Sequence, residues 1–436
     1  MGSPLRPSES VALVALGCPK NTVDAEVMLG DLQRRGYTIE REPDNADVVI
    51  VNTCAFIEEA KQESIDAVLE AGKLKEGRNA RALLITGCLA QRYADELATA
   101  LPEVDAVVGF ESYGEIPTKI QEILTANSPD TVRQAQVSVG LPTVPFRDES
   151  DRVRIGPTHY AYLRVAEGCD HNCTFCAIPG FRGKFRSKGF DTLVEEARQL
   201  VALGAKELNL IAEDTNQWGT DFGAKDSRRL PELLEALSEI EGLKWIRLLY
   251  CYPSYFNDKL IDSIARLDKV VKYIDIPLQH SSSDVLARMQ RPLEGHTSKL
   301  LQQLQDRIPD LVLRTTFISG FPGETEGDYE HLRKFSRSFG FQRGGVFSYS
   351  EEDGTPAAMM EDQIPQEVRA QRQMRLQRSK CHISPQIGRS YADAPDIDNQ
   401  VKITDVIVPF DPGMLVKCKI VDVDGLDLIA NVCDEI

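Results

Sequence analysis

Apolar and polar residues alternate in blocks along the first third of the chain, as they do where strands alternate with helices. Helical patterns at 22–35 and 56–74 separate three apolar runs, which lie at 11–18, 46–54 and 80–88. Continuous Val, Ile and Leu runs are typical of strands that are covered on both faces, as in a parallel sheet. The pattern therefore predicts an amino-terminal α/β domain with a doubly wound parallel sheet over residues 9–126.

A second block of alternation follows an irregular, proline-containing stretch at 127–157, which is expected to be a linker. Helical patterns, such as those at 192–203 and 231–240, separate six candidate strands at 161–166, 207–212, 245–250, 271–277, 311–319 and 344–348. Six such units predict a partial, six-stranded TIM-like barrel in a domain at 158–380, with its active site at the carboxyl ends of the strands. Two later strand patterns, at 397–407 and 414–423, predict a small β domain at 381–436.

Each of the three amino-terminal strand patterns ends in a cysteine: Cys18, Cys54 or Cys88. The carboxyl ends of parallel strands share one edge of a sheet, and ligands bind at that edge in open α/β folds. A single cysteine at such a place is usually a core residue. Three at the same structural position favour a shared metal-cluster site.

The first barrel strand is followed by a loop with three more cysteines: Cys169, Cys173 and Cys176. A short loop with these offsets can hold three corners of a four-iron cluster and leaves one iron open to a small molecule. Zinc would need a fourth ligand, either His171 or a distant cysteine. Three buried free cysteines are the remaining alternative, but the polar residues Asp170, His171 and Asn172 make the loop a poor core segment.

These motifs resemble those of a known family. The Cys-x3-Cys-x2-Cys loop is similar to the signature of radical S-adenosylmethionine (SAM) enzymes, in which the open iron binds SAM and the cluster cleaves it to an adenosyl radical. The strand-end motifs resemble those of the methylthiotransferases in that group; they are Leu16-Gly-Cys-Pro-Lys-Asn21, Val51-Asn-Thr-Cys-Ala-Phe-Ile57 and Thr86-Gly-Cys-Leu-Ala90. The resemblance implies a radical SAM barrel and a small carboxy-terminal TRAM-like β-barrel. The family has more chain between Lys380 and Arg389, so either the barrel is shortened there or residues are missing from the sequence.

The resemblance also implies two four-iron clusters and SAM as cofactors. One cluster, on Cys169, Cys173 and Cys176, would bind SAM and make the radical; the other, on Cys18, Cys54 and Cys88, would take part in sulfur transfer. One SAM molecule would supply the methyl group and another the radical. No catalytic residue is implied beyond the cluster ligands. The residues that the resemblance suggests for holding SAM or substrate are Glu213, Asp214, Gln279, His280, Arg314 and, through its backbone at the adenine, Phe175.

The substrate is indicated by the form of the first motif and by the segments 276–282 and 314–318. They most resemble the family members that add a methylthio group to the β-carbon of an aspartate in ribosomal protein S-twelve. That transferase activity is the expected function, with an external electron donor and a sulfur donor as further partners. The nearest alternative is a tRNA methylthiotransferase acting on a modified adenosine. An alternative of another class is a non-catalytic iron–sulfur or zinc protein that serves electron transfer or scaffolding.

The acidic charge of the chain bears on these alternatives. Its 436 residues carry a formal net charge of −17, and the part from Tyr391 onwards has ten acidic and three basic residues. Such a surface is poor for phosphates and favourable for a basic protein, so tRNA is the less expected substrate. No apolar run approaches the roughly 18 residues that cross a bilayer, and ten cysteines without an export signal indicate a reducing compartment. We therefore expect a cytoplasmic enzyme with no membrane partner.

Overall fold

The structure of the chain, a computed structural model, contains two parallel sheets, a smaller mixed sheet and one further strand pair. The residues that it describes are 9–77, 79–126, 134–142, 146, 149, 151–377, 387–398, 400–403, 413–416, 418–424 and 427–432. Within these ranges, no helix is long and apolar enough to span a membrane.

The amino-terminal unit is built on six strands, which are β1 (Ser10–Ala15), β2 (Thr38–Glu40), β3 (Val48–Thr53), β4 (Ala82–Thr86), β5 (Ala106–Val108) and β6 (Gln136–Ser138). They form one parallel sheet in the order β2-β1-β3-β4-β5-β6, which confirms the predicted doubly wound sheet. The helices of this unit are α1 (Pro19–Arg34), α2 (Glu58–Glu76), α3 (Gly87–Arg92), α4 (Ala94–Ala100) and α5 (Ile116–Ala126). Strand order reverses between β1 and β3, and doubly wound sheets bind ligands at that switch point.

The register of the sheet explains why the three strand-end cysteines meet. Ala15 pairs with Asn52, and Asn52 pairs with Thr86, so the ends of β1, β3 and β4 lie side by side. The cysteines follow this row by two or three residues, and they are Cys18, Cys54 and Cys88. All three therefore lie at one edge of the sheet, beside its switch point.

The central unit contains eight strands, which are β7 (Tyr160–Arg164), β8 (Ala166–Glu167), β9 (Arg186–Ser187), β10 (Glu207–Ile211), β11 (Trp245–Leu248), β12 (Val270–Asp275), β13 (Val312–Ser319) and β14 (Arg343–Ser348). Six of them form a parallel sheet in the order β7-β10-β11-β12-β13-β14, while β8 pairs with β9. The helices are α6 (Ile178–Arg182), α7 (Phe190–Ala202), α8 (Leu230–Ser238), α9 (Asp258–Arg266), α10 (Ser283–Arg288), α11 (Glu294–Arg307), α12 (Glu326–Ser338) and α13 (Gln366–Gln377). This arrangement confirms the predicted six-stranded partial barrel.

The stretch between the two units differs in part from the expected linker at 127–157. Residues 136–138 form β6 and extend the amino-terminal sheet beside β5; a strand of three residues is too short to give a recognisable periodic pattern. Further along, Glu149 and Arg152 are 2% and 4% exposed, so this part of the chain is packed into the protein. The expected domain limits, 9–126, 158–380 and 381–436, remain predictions.

Helix α1 packs against both units. Ala25 and Met28 join the core of the amino-terminal sheet, whereas Val23 and Val27 join an apolar cluster with Tyr162 of the barrel. A surface helix usually has one apolar stripe, but α1 is buried on two sides. It therefore fixes the amino-terminal sheet against the barrel.

Buried ion pairs also join α1 to the barrel. Arg164 contacts Asp24 and Glu149 and, at 2.6 Å, Glu167. Arg182 lies 3.1 Å from a carboxylate oxygen of Asp24 and 3.1 Å from one of Glu167. Burial alone would raise the pKa of Glu149, but the surrounding cations, Arg164 first among them, lower that pKa to about 2. Breaking a buried pair of this kind by removing one partner typically costs roughly 3–5 kcal/mol.

The carboxy-terminal part forms a mixed sheet of four described strands, which are β15 (Ile387–Gly388), β16 (Val401–Ile403), β17 (Cys418–Asp424) and β18 (Asp427–Val432). Their order is β15-β16-β18-β17. The predicted strand at 414–423 overlaps β17. Strand β18 begins only two residues after β17 and was not predicted as a separate element. Within the other predicted strand, at 397–407, residues 401–403 form β16, and residues 399 and 404–407 lie outside the described residues.

The segment 389–398 closes the amino-terminal end of the barrel. Side chains from all six parallel strands bond to it, and they are Tyr160, Glu207, Arg247, Tyr273, Arg314 and Arg343. Within the segment, Asp398 accepts hydrogen bonds from the Tyr273 hydroxyl at 2.5 Å and from Ala394 N at 3.0 Å. This end of a barrel serves stability, whereas the opposite end carries the active site.

The same contacts correct the interpretation of the acidic carboxy-terminal charge. Asp393 pairs with Arg343 and Asp398 with Arg314, and only 1% and 4% of the two carboxylate side chains are exposed. These carboxylates balance cations inside the chain and do not form a free surface for a basic protein. The acidic excess of this part of the sequence is therefore a weaker argument against tRNA than its charge count suggests.

We expect Asp398→Ala to lower the free energy of unfolding by about 3 kcal/mol, because it leaves buried donors on Tyr273 and Ala394 without an acceptor. Urea denaturation of the reduced, metal-free protein measures this. Asp306→Ala is the matched control, since Asp306 is exposed and accepts a hydrogen bond from Gln302 on its own helix, and it should change the stability by less than about 0.5 kcal/mol. Equal effects of the two substitutions would contradict a closing role for the segment.

Candidate functional site

Cys18, Cys54 and Cys88 form the first cysteine group. Cys54 and Cys88 are 5% and 6% exposed, and Cys18 is partly exposed. A Cβ on Gly17, which has a φ of +87°, would lie 2.9 Å from Cys54 Sγ, so glycine is needed for this close approach. Burial raises the pKa of Cys54 to about 11 and that of Cys88 to about 12. Both thiols are therefore protonated at neutral pH, and metal binding here would release protons.

The side chain of Asn21 connects all three motifs of this group. Its Nδ2 donates to the carbonyl of Leu16 at 3.1 Å and to that of Thr53 at 2.9 Å. Its Oδ1 accepts from Cys88 Sγ at 3.6 Å and from Arg182 Nη2 at 2.9 Å. One amide thus bonds to the chain just before Cys18 and just before Cys54, to Cys88 itself, and to the barrel.

The second cysteine group lies on the loop between β8 and α6. Gly168 turns the chain at a φ of +75°, where a Cβ would lie 2.2 Å from the facing backbone. Cys169 N donates to the Gly183 carbonyl at 3.0 Å and Cys176 N to the Cys173 carbonyl at 3.1 Å, so the loop folds back on itself. Burial, and to a smaller extent the neighbouring cysteines of the group, raises the pKa of Cys169 and that of Cys176 to about 12.

Side chains from later loops of the barrel hold this cysteine loop. His171 stacks on Tyr252 with ring centroids 3.6 Å apart, and its Nε2 lies 2.7 Å from Asp214 Oδ2. Arg291 lies 4.1 Å from the centroid of the Tyr252 ring and donates to Cys173 Sγ at 3.6 Å. His171 Nε2 is therefore engaged by Asp214, and the stacked ring is held in place within the cysteine loop.

Each cysteine group offers three thiols, which is a donor set that fits an iron–sulfur cluster. In the described part of the chain, no group of three or more His, Cys, Asp or Glu side chains could hold one metal ion. A four-iron cluster differs, because each thiolate binds a different iron and the three sulfurs stay apart. Two groups of three cysteines, each on an edge where parallel strands end, meet that requirement.

A cavity of about 760 Å³ opens over the second cysteine group. Cys173 and Cys176 line one part of it, residues 91–93 of the amino-terminal unit line another, and Asp353 lies between them. Ligand pockets commonly have volumes of roughly 300–1,000 Å³. The cavity is therefore large enough for a cofactor beside the cysteines, and it borders both units.

Two buried carboxylates next to the cysteine loop have oxygens without a hydrogen-bond partner. Both oxygens of Glu213 are unpartnered, although Lys20 Nζ lies 4.0 Å and Arg182 Nε 3.9 Å from one of them. Asp214 Oδ1 is also unpartnered. Burial raises the pKa of Glu213 and that of Asp214. Buried polar atoms are normally paired, so these two carboxylates fit a ligand that brings donors, such as the amino and hydroxyl groups of SAM.

Backbone strain is concentrated at the same end of the barrel. Five described residues other than glycine have a positive φ, and three of them lie at this end: Tyr250 (58°), Gln279 (75°) and Gln290 (53°). Gln279 follows β12, and Gln290 lines the cavity. Strained backbone of this kind occurs preferentially at active sites.

The other residues suggested by the resemblance lie at different places. Phe175 is partly buried in an apolar cluster that includes Tyr349. His280 is 2% exposed, and its Nδ1 accepts from Ser282 N at 2.9 Å. Arg314 donates to Asp275 at 2.9 Å and to the closing segment, inside the barrel. Glu213 and Asp214 thus lie beside the cysteine loop, whereas His280 and Arg314 already bond to protein groups; the roles of all six residues remain predictions.

Sequence reasoning missed the residues that connect the two cysteine groups. A basic run at 182–188 follows the loop. Its Arg182 and Lys188 are each 2% exposed and paired with carboxylates, whereas Lys184 is exposed. On the other side, Lys20 reaches from the amino-terminal unit to the carbonyl of Ala212 at 3.2 Å. The sequence signal was the Pro-Lys-Asn that follows Cys18, but its partners in the barrel, Ala212 and Arg182, are more than a hundred residues away.

Three known protein families match successive parts of the chain. Residues 10–109 match the uncharacterized protein family UPF0004, residues 163–336 the radical SAM superfamily, and residues 382–433 the TRAM domain. The first match covers the amino-terminal cysteine group and the second covers the loop with Cys169, Cys173 and Cys176. The matches follow the predicted order of units.

Curated relatives match along the whole chain. A protein named "Ribosomal protein uS12 methylthiotransferase RimO" from Desulforudis audaxviator is 43% identical over 456 residues, with 99% of each chain covered. A protein of the same name from Geobacter sulfurreducens is 43% identical and covers 97% of this chain and 98% of its own. Among solved structures, the radical SAM methyltransferase TsrM from Kitasatospora setae has a TM-score of 0.56 at 13% identity, covering 78% of this chain and 72% of its own. That likeness shows the fold alone.

We expect His171 and Asp214 to stabilise the cysteine loop as a coupled pair. His171→Phe keeps a ring on Tyr252 but cannot bond to Asp214, and Asp214→Leu removes the carboxylate. A double-mutant cycle on the metal-free protein, followed by urea denaturation, should give a coupling energy of about 1–3 kcal/mol. The same cycle with Asp170→Asn is the control, because Asp170 is adjacent in sequence but bonds to Phe185 N. Additive effects of His171→Phe and Asp214→Leu would contradict the proposed support.

Proposed function

The chain belongs to the RimO family of ribosomal protein uS12 methylthiotransferases, and we propose that it adds a methylthio group to the β-carbon of an aspartate in uS12, the S-twelve protein of the ribosome. The observation that carries the proposal is the pairing of two three-cysteine groups, each at the carboxyl edge of a parallel sheet, across one interface. A single cluster site would suffice to cleave SAM. A second site of equal size indicates a second chemical task, which in this family is sulfur transfer.

The chain is a radical SAM enzyme that uses an iron–sulfur cluster and SAM. We place the SAM-binding cluster on Cys169, Cys173 and Cys176 and a second four-iron cluster on Cys18, Cys54 and Cys88. When bound, these groups supply the radical that removes hydrogen from the substrate carbon, and the sulfur and methyl group that replace it. An iron–sulfur cluster binds thiolates, so the thiols of both groups would lose protons when the clusters are loaded.

The side chains of this protein bind the cofactors and position the reacting groups. Glu213 and Asp214, with their unpartnered oxygens, would receive the donors of SAM, and Asp214 also holds His171 in the cysteine loop. Helix α1 and the buried ion pairs fix one cysteine edge against the other, so reacting groups meet in one geometry. Proximity and orientation of this kind are the main protein contribution when cofactors carry the chemistry.

Support for a protein substrate comes from the relatives and not from the acidic charge of the carboxy-terminal part. The relatives that match over nearly the whole chain are named for uS12. The proposal includes an external electron donor and a sulfur donor, because radical formation consumes an electron and the product gains a sulfur atom. The cytoplasm, where ribosomal proteins are available, is the compartment that this function implies.

The test of function is an anaerobic reaction of reconstituted protein with SAM, dithionite and sulfide. Recombinant uS12 and unmodified or precursor-modified tRNA are offered in parallel, and products are read by mass spectrometry. We expect one hydrogen of a uS12 aspartate to be replaced by a methylthio group, with no change in tRNA. The Cys169→Ala/Cys173→Ala/Cys176→Ala variant is the control and should give no product. Modification of a tRNA adenosine alone would contradict the proposed substrate.

Iron content tests the proposed cofactor sites separately from the substrate. Reconstituted protein should hold about eight iron atoms per chain, and replacing either cysteine group by alanine should leave about four. Cys251→Ala is the matched control, since Cys251 is fully buried and belongs to neither group, and it should retain about eight. A protein with zinc in place of iron, or one that loses all its iron when Cys18, Cys54 and Cys88 are replaced, would contradict two independent clusters.

A further inference from the structure

We propose that Arg182 is a positioning residue that holds the amino-terminal cysteine site in place from the barrel and sets the reduction potential of the group bound there. The proposal rests on the second cluster of the proposed function and adds a residue that neither cysteine motif contains. It does not depend on the identity of the substrate.

Arg182 ends α6, the helix that follows the SAM-type cysteine loop, yet it bonds to the opposite site. Its Nη2 donates to Cys88 Sγ at 3.7 Å and to Asn21 Oδ1 at 2.9 Å. The same nitrogen lies 3.1 Å from Asp24 Oδ2, and Nη1 lies 3.2 and 3.1 Å from the two oxygens of Glu167. A residue of the barrel therefore supplies a cationic donor to a sulfur of the other cysteine group.

Asn21 connects Arg182 to the other two motifs of the amino-terminal cysteine group. Because Asn21 bonds to the backbone before Cys18 and before Cys54, the guanidinium that orients Asn21 Oδ1 acts on all three motifs. The planar fork of arginine can reach Cys88, Asn21 and Glu167 at once, which the single ammonium of lysine cannot do. The guanidinium also lies 4.7 Å from the centroid of the Phe110 ring, which fixes its plane.

Hydrogen bonds to the sulfurs and the net charge around a cluster help to set its reduction potential. One-electron reduction adds one negative charge to the cluster, and a buried cation that donates to a ligand sulfur stabilises that charge. Arg182 is 2% exposed, so water cannot replace its donors easily. Loss of the guanidinium should therefore make reduction of this site less favourable.

Arg164 provides a matched control in the same buried network. It contacts Asp24 and Glu167, as Arg182 does, and also Glu149. Among the described residues, none of its bonds reaches Asn21 or a cysteine sulfur. Arg164 also keeps Asp24 and Glu167 paired when Arg182 is replaced, so the protein should still fold.

The experiment uses the full chain with Cys169→Ala, Cys173→Ala and Cys176→Ala as the parent, so that only the amino-terminal site can load. Arg182→Met, Arg182→Lys and Arg164→Lys are added singly, and each protein is reconstituted without oxygen. Iron and sulfide are counted, the dithionite-reduced cluster is examined by electron paramagnetic resonance, and its midpoint potential is measured by redox titration. Arg182→Lys retains the charge, and it is the milder variant if Arg182→Met fails to fold.

We expect Arg182→Met to lower the equilibrium constant for reduction of the cluster about tenfold, which shifts its midpoint potential by about 59 mV to more negative values. The g values of the reduced cluster should also change. Arg182→Lys should shift in the same direction by less, and Arg164→Lys should match the parent. Loss of iron from an Arg182 variant alone would also support the holding role. Parent-like spectra and potentials in both Arg182 variants, or an equal shift in Arg164→Lys, would overturn the inference. A parent that loads no iron would overturn the second cluster as well, which distinguishes the two failures.

Discussion

The guanidinium of Arg182 joins the two cysteine edges and fixes one against the other. It leaves the barrel just after one cysteine loop and reaches Cys88 Sγ and Asn21 in the other group, while Glu167 and Asp24 hold it from both sides. A cation with this many partners is costly to bury unless every donor is satisfied. The contact therefore specifies one relative arrangement of the two edges and excludes small displacements between them.

Helix α1 imposes the same constraint over a longer distance. It begins directly after Cys18, and its side chains enter both the core of the amino-terminal sheet and an apolar cluster of the barrel. The first turn carries Lys20 to the carbonyl of Ala212 at the end of β10, beside Glu213. At the other end of the barrel, the segment 389–398 bonds to all six strands. The barrel is thus closed at one end by the carboxy-terminal part and covered at the other by the amino-terminal unit.

The fold could be predicted from the sequence because continuous apolar runs and strand-end cysteines are local patterns. Register then brings Cys18, Cys54 and Cys88 to one edge, as parallel strands require. The contacts of Arg182, Lys20 and Asn21 could not be predicted, since each joins residues that are far apart in sequence and a buried arginine looks like any surface arginine in a basic run. The ion pairs of Asp393 and Asp398 with arginines of the barrel could not be predicted for the same reason, because a charge count does not show which carboxylates are paired.

We propose that the two cysteine groups face one another across a fixed interface and that each holds a cluster. Pulsed electron paramagnetic resonance of the fully reconstituted and reduced protein measures whether two clusters are present and close together. We expect a magnetic interaction between two reduced clusters, which disappears when either group of cysteines is replaced by alanine. Two independent signals without interaction, or a single signal that persists when Cys18, Cys54 and Cys88 are replaced, would contradict it.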